Sequence, residues 1–404
     1  MASYSIAVAG GGPAGLATAL LLHRAGHRVT VFERFVQPHP IGSGLMLQPT
    51  GLAVLQELGL AAEIVSLGQR IDRLFGRVVP STRIILDVRY RALGNNAFGL
   101  AVHRAALFDP LFQAAKRDGI AIETGCGITG LTRDNGGRPS LVAGDGRTFG
   151  AFDLVVDAMG VRSPLAPHAR GDLAYGALWT TLSWPQGLFD AHALEQRYRK
   201  ASIMVGVLPI GRRPGSSTAE TAFFWSIKPE HYDAWRAAGL DLWKKEVRAL
   251  WPETAPLLDT IVDPDQMTLA RYSHHTLARP FAQRLVIVGD SAHAASPQLG
   301  QGANMALLDA RALALALRDC EDIAAALRRY AALRRWHVRF YQYLSALFTP
   351  FYQSDSSILP LLRDWLVAPS TRLPLARNIV AGMVAGVILD PRGRLELTKA
   401  MRWR

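Results

Sequence analysis

Cysteine is nearly missing. The chain of 404 residues holds two, Cys126 and Cys320, far apart and outside any C-x-x-C spacing. That excludes a disulfide framework or a thiolate metal cluster as the basis of the fold and points to a reducing compartment. Long apolar runs are missing as well. None reaches the ~20 residues that span a bilayer, and the longest late run, Ile379 to Leu389, falls well short. After Met1-Ala2-Ser3-Tyr4 the chain runs straight into strand-like sequence, with neither a charged leader nor a cleavable apolar segment. No export signal is expected, and the expected location is cytoplasmic.

Acidic residues are outnumbered, 33 Asp+Glu against 45 Lys+Arg, for a net charge of +12. The arginines are scattered rather than gathered into a stripe or a reading module, so no nucleic-acid partner is expected. The charge reads as a solvated basic surface. Contact with an anionic membrane surface stays open but is not favoured. No internal repeat is evident. The remaining bulk, 49% hydrophobic and 19% charged, is ordinary for a globular protein, and the length allows roughly two to three domains.

The richest local signal is Gly10-Gly11-Gly12-Pro13-Ala14-Gly15. An apolar strand, residues 5–9, precedes it, and a helical spacing of Leu16, Leu20 and Leu21 follows. Gly10, Gly12 and Gly15 give the G-x-G-x-x-G spacing: a tight turn, close backbone approach to a pyrophosphate, and close helix–strand packing. The helix start offers free N–H groups and the positive end of its dipole. A second apolar strand, residues 28–32, ends at Glu33, about 20 residues on, where a carboxylate can take a ribose 2′-hydroxyl. That favours FAD or NAD over NADP, although Arg34 next door is the residue type that meets a 2′-phosphate.

A second nucleotide signature comes late. Residues 284–288 read as a buried strand, followed by Gly289-Asp290-Ser291-Ala292-His293 and then Pro297-Gln298-Leu299-Gly300-Gln301-Gly302-Ala303-Asn304 at the start of a long helix. Two anchors some 250 residues apart suit an extended cofactor, one for an adenosine half and one for a ribityl-flavin half. Residues 170–275 differ in character: they are rich in Trp and Phe and read as a sheet covering a pocket. His293 reads as a packed part of its turn, and adjacent His274 and His275 point to opposite faces, which argues against a metal pair.

With these motifs the sequence resembles the FAD-dependent aromatic monooxygenases of the p-hydroxybenzoate hydroxylase type, including ubiquinone-precursor hydroxylase-like members. The resemblance rests on the glycine motif, Glu33-Arg34, Arg104 within V-H-R-A-A-L, G-D-S-A-H, P-Q-L-G-Q-G-A-N and Leu308-Asp309-Ala310, with residues 351–374 similar to a helical tail of that branch. It implies an α/β fold: a Rossmann-like FAD-binding domain in three parts (1–70, 99–168, 278–345), an inserted β-sheet substrate domain (71–98 and 169–277), and C-terminal helices (346–404). It implies that Gly10, Gly12 and Gly15 hold the pyrophosphate, Glu33 the adenosine ribose, Arg104 the phosphate-ribityl region and Asp290 a ribityl hydroxyl. Gly300, Gly302, Ala303 and Asn304 would meet the polar edge of the isoalloxazine, with Gly44, Leu45 and Met46 flanking the ring. Pro13, Ala14, Arg34, Ile128 and Gly160 complete the expected cofactor contacts. Pro297 on the substrate side of the flavin, with Met204, Phe223 and Trp225 on the aromatic-rich sheet, are the expected substrate residues.

The implied chemistry is reduction of FAD, addition of O2 to give a C4a-hydroperoxide, and oxygen transfer to a small aromatic, quinone-like or polyketide-like ring. The alternatives are a flavin-dependent reductase or halogenase, or a non-catalytic flavin-binding protein. No catalytic residue is singled out and no metal is expected. One departure matters. Where the family usually reads A-D-G, this chain has Ala158-Met159-Gly160. In the family that Asp-Gly element is associated with coupling the nicotinamide donor to FAD. The expected reductant is therefore NADPH or NADH with direct reduction in doubt, or reduced flavin from a separate reductase.

Overall fold

The computed structural model describes residues 3–39, 42–94, 96–167, 171–370 and 373–397. Its first layer is a six-stranded sheet. In spatial order the strands are Phe281–Ala282, Leu285–Ile287, Leu154–Asp157, Ser5–Ala9, Arg28–Phe32 and Ala121–Glu123. All neighbours pair in parallel except the first two. Ile6 sits opposite both Leu154 and Val29, so the glycine turn after Ala9 opens at the same sheet end as the turns after Phe32 and Asp157. Such strands are buried on both faces, which is why residues 5–9 are a continuous apolar run.

One face of this sheet is covered by helices Pro13–Arg24, Arg104–Arg117 and Gly302–Asp319. Pro13 starts the first of them, where its missing N–H costs nothing. The last is an Ala/Leu-rich helix packed along the first, and the 30-residue helix Ile323–Tyr352 packs on it in turn. The other face meets a three-stranded antiparallel sheet, Ile128–Arg133, Pro139–Ala143 and Thr148–Phe149, around Phe32, Phe149 and Phe152.

A seven-stranded sheet forms the second layer: Thr268–Ala270, Gly176–Ser183, Glu220–Ile227, Ile203–Gly211, Ala193–Arg199, Arg73–Val78 and Ile84–Arg89. Its neighbours are antiparallel except Ala193–Arg199 with Arg73–Val78. So the segment 73–89 joins a sheet otherwise built from residues 176–270. Its outer face packs on helices Tyr232–Ala238 and Leu240–Leu250, which Gly239 separates. A short sheet of Gly44–Leu47, Gly99–His103 and Gln69–Ile71 lies between the two layers. The C-terminal helix Pro374–Val384 crosses back onto Ile84–Arg89 and the turn Tyr90–Leu93. Among the described residues no helix is long and apolar enough to cross a membrane, and no cluster of side chains is arranged to hold a metal ion.

Candidate cofactor and substrate cavity

One cavity of about 1070 Å3 runs between the two sheets, and its lining falls into two chemically different halves. The first half is built from the carboxyl ends of the parallel strands, where open α/β sheets bind ligands. Gly10, Gly12, Pro13 and Ala14 line it. Gly10 has φ +106°, and a Cβ there would lie 2.5 Å from the Ala158 carbonyl oxygen. Gly15 does not line the cavity. A Cβ on it would sit 1.9 Å from the Gly10 carbonyl oxygen, so this glycine closes the helix onto the turn. Glu33 is buried at the strand end, accepting from the backbone N–H groups of Gly11 at 2.8 Å and Phe35 at 3.0 Å. Arg34, Ile128 and Gly160 line the same end.

The late motif meets the early one here. A Cβ on Gly289 would touch that of Ala14 at 3.3 Å, so Asp290 faces the cavity beside the glycine cradle. Arg104 starts its helix with its backbone N–H on the Ser43 carbonyl at 3.0 Å and extends into the cavity. Burial lowers its pKa, and the Asp290 and Tyr272 charges oppose that shift. Beneath the cradle lies a fully buried carboxylate, Asp309. It accepts from the Gly289 N–H at 2.8 Å and Arg334 Nε at 2.6 Å, and pairs with His293 Nε2 at 2.5 Å. Burial would raise its pKa, but the charges of His293 and Arg334 and their hydrogen bonds outweigh that and bring it to about 2. His293 is therefore a packed element of the turn, as its motif suggested.

Gly300, Gly302, Ala303 and Pro297 line the middle of the cavity, with Gly44, Leu45 and Met46 across from them. Like Gly15, Asn304 is an expected contact that does not line the cavity. It is fully buried outside the lining, and its amide accepts from the Gln48 N–H at 2.7 Å and donates to the Met46 and Gly300 carbonyls. It clamps the flanking strand to the helix rather than facing the cavity.

The second half is apolar. The inner face of the seven-stranded sheet supplies Leu74, Trp179, Leu194, Met204, Leu208 and Phe224, and Ile379, Val380, Met383 and Val384 come from the C-terminal helix. Trp179 and Phe224 stack with centroids 4.6 Å apart. Met204 lines this half, but Phe223 and Trp225, also expected on the substrate side, do not. They lie on the opposite face, packed edge-on against Trp243 of the outer helix. The strand is buried on both faces, so its own sequence does not say which set faces the chamber. Pairing of Phe224 with Trp179 across the sheet decides it.

Several lining residues carried no motif: Gln48, Trp179, Gln196, Tyr198, Tyr272 and the helix 374–384. Only the i, i+2 spacing of Gln196 and Tyr198 within an otherwise strand-like stretch was available as a signal. Tyr272 accepts from Trp179 Nε1 at 2.8 Å, and burial pushes its hydroxyl up to about 12. Met159 lines the cavity where the family's aspartate would stand. The nearby Asp157 is fully buried and turned inward, accepting from Ser163 at 2.6 Å and Ser291 at 3.2 Å. It does not replace the missing carboxylate.

These residues fit a dinucleotide flavin: a glycine cradle at a helix start, an acid at the second strand end, and a second acid–helix pair that meets the first. Comparison with known proteins agrees. The family model described as FAD binding domain matches residues 3–338. The chain is 28% identical over 349 residues to an aurachin C monooxygenase/isomerase of Stigmatella aurantiaca, covering 82% of this chain and 85% of that one. It is 29% identical over 327 residues to a 6-methylpretetramide 4-monooxygenase of Streptomyces rimosus, covering 76% and 74%. Its fold matches that of Klebsiella pneumoniae HpxO complexed with FAD and uric acid, with TM-score 0.78, 20% identity, and 94% and 97% of the two chains covered. The chain thus belongs to the FAD binding domain family, among its flavoprotein aromatic hydroxylases, and is an FAD-dependent monooxygenase.

Proposed function

We propose that this protein inserts one oxygen atom of O2 into a mostly apolar aromatic substrate held in the second half of the cavity. The observation that carries this is the continuity of the two halves: the cofactor cradle opens directly into a chamber walled by apolar side chains and the Trp179–Phe224 stack. Bound FAD supplies the oxygen-activating redox chemistry; the chain supplies binding, orientation and exclusion of water. Gly10 to Ala14 would hold the pyrophosphate and Glu33 the adenosine ribose, Arg104 and Asp290 would meet the ribityl-phosphate region, and Pro297 with Gly44 to Met46 would line the ring's place. The balance is substrate C–H plus O2, two electrons and two protons, giving the hydroxylated ring and water.

The electron donor follows from Met159. A thioether side chain stands where the family carries a carboxylate, so NADH and NADPH reduce the bound FAD poorly and a separate flavin reductase is the favoured source. The proposed location is the cytoplasm, which keeps the unpaired Cys126 and Cys320 reduced. The test is turnover under 18O2 with NADH, NADPH, or free flavin plus a reductase, against a panel of neutral polycyclic aromatics. One labelled oxygen in the product supports the reading. Label found only in peroxide and water across the panel contradicts it.

A further inference from the structure

The cavity has two polar fixtures built the same way, Gln196 on the sheet of the apolar half and Gln48 in the middle, its amide nitrogen beside Gly300. Gln48 is 1% exposed and Gln196 is 7% exposed, yet both line the cavity. In each, a buried tyrosine donates its hydroxyl to the carboxamide oxygen: Tyr90 to Gln48 Oε1 at 2.7 Å, and Tyr198 to Gln196 Oε1 at 2.9 Å. Capping the oxygen turns the amide nitrogen, a donor only, away from the tyrosine. Gln48 is held further by its backbone N–H on Asn304 Oδ1 at 2.7 Å. Among the described residues no protein group accepts from Gln48 Nε2. Gln196 Nε2 has only the Met204 thioether, at 3.3 Å, a weak acceptor that a ligand oxygen displaces.

Charge is nearly absent from this half. Asp87 is held by both Arg73 and Arg89, and Arg377 lies exposed on the flank of the C-terminal helix. Among the described residues this half thus presents amide donors on an apolar wall, and the buried arginine of the lining, Arg104, has the Asp290 charge beside it at the cofactor end. Burying a donor without an acceptor is costly, so such a site selects by what would be left unpaired.

We infer that the substrate is an uncharged aromatic bearing a carbonyl oxygen, and that Gln48 and Gln196 are the positioning residues that take its acceptors. This rests on the proposed monooxygenase reading for the use of the chamber, but its test is equilibrium binding and needs no turnover. The FAD-loaded protein is titrated with 2-methyl-4(1H)-quinolone, with 2-methylnaphthalene (a fused ring pair with no acceptor), and with quinoline-4-carboxylate. Perturbation of the flavin absorbance and quenching of tryptophan fluorescence are followed.

The expected order is the carbonyl probe about tenfold or more tighter than the carbonyl-free ring, with the carboxylate weakest. Gln48→Leu and Gln196→Met each bring the first two probes to within about threefold of one another, and Tyr90→Phe and Tyr198→Phe lose part of the preference. FAD content and far-UV circular dichroism verify that each variant is folded. Equal binding of the two ring probes by the unaltered protein overturns the inference. So does a Gln48→Leu variant that shifts the flavin spectrum without ligand while leaving the preference intact, since the amide then serves the cofactor. If reduced protein reacts productively with O2 but shows no preference, only this inference fails. If oxygen chemistry is absent while the preference holds, the monooxygenase reading fails instead.

Discussion

Gly15 shows how strictly one position is fixed. A methyl group there would overlap the Gly10 carbonyl at 1.9 Å, and that atom is backbone in the turn itself. Gly15→Ala is expected to lose about 2–3 kcal/mol of stability and to purify without FAD. Urea unfolding and the visible spectrum check both. Met159 carries a second prediction. Met159→Asp places a carboxylate at the cavity wall and is expected to speed anaerobic bleaching of bound FAD by NADH or NADPH by about tenfold, or ~1.4 kcal/mol of barrier. Stopped-flow absorbance measures it, and fast bleaching already in the unaltered protein would remove the case for a separate reductase. At this scale the cofactor half was legible because its residues sit in contiguous motifs whose spacing is set by the phosphate and the helix start. Gln48 and Tyr90 were not legible. Their pairing joins a helix start to a distant turn, and nothing local marks a glutamine as oxygen-capped.

Elements explain what single residues do not. The strand 220–227 is buried on both faces because a helix covers one and the chamber occupies the other. Alternation therefore gives two sets, and only the cross-strand neighbour, Trp179 against Phe224, assigns the inner one. The strand 193–199 is mixed in polarity for the same reason: Gln196 and Tyr198 face the chamber, not solvent. The helix Pro374–Val384 was legible only as a late apolar stretch. Its place is fixed by long-range bonds, Gln301 Nε2 on the Val384 carbonyl at 2.6 Å and His337 Nε2 on the Gly386 carbonyl at 3.1 Å. Since it walls the chamber, Val380→Asn and Met383→Asn are expected to admit water and divert reducing equivalents to H2O2, with FAD affinity little changed. Peroxide yield per NADH or reduced flavin consumed measures the diversion; an unchanged yield would mean that this helix does not keep the chamber dry.

The whole molecule is tied together by a buried polar chain under the cradle: His293, Asp309, Arg334 and His337, ending on Gly386. Burial first, then the Arg334 charge, bring the His337 pKa down to about 3, and burial with Arg213 and Arg104 brings His103 to about 4. Both are neutral in the fold, while in the unfolded chain they bind protons near pH 6.5. Their contribution is therefore complete above about pH 6.5 and is lost as pH falls toward those lower values. Asp309, held at about 2, adds a contribution that is complete above its unfolded value of about 4 and lost below it. Urea midpoints should fall steadily from pH 7 to pH 4 and more steeply beneath. Removing the carboxylate, Asp309→Asn, leaves Arg334 buried without its partner and should cost about 3–5 kcal/mol. A midpoint flat between pH 7 and pH 4 would contradict the neutral assignment of the two histidines.

The most direct test of the account is to reduce the FAD-loaded protein with dithionite without air, mix it with O2 in the presence of a bound aromatic, and follow the flavin spectrum and peroxide together. Reoxidation in two phases, the first faster at higher O2 and the second independent of it, with little peroxide released, is the predicted result. A single O2-dependent phase that releases one peroxide per flavin, whichever aromatic is bound, would contradict it.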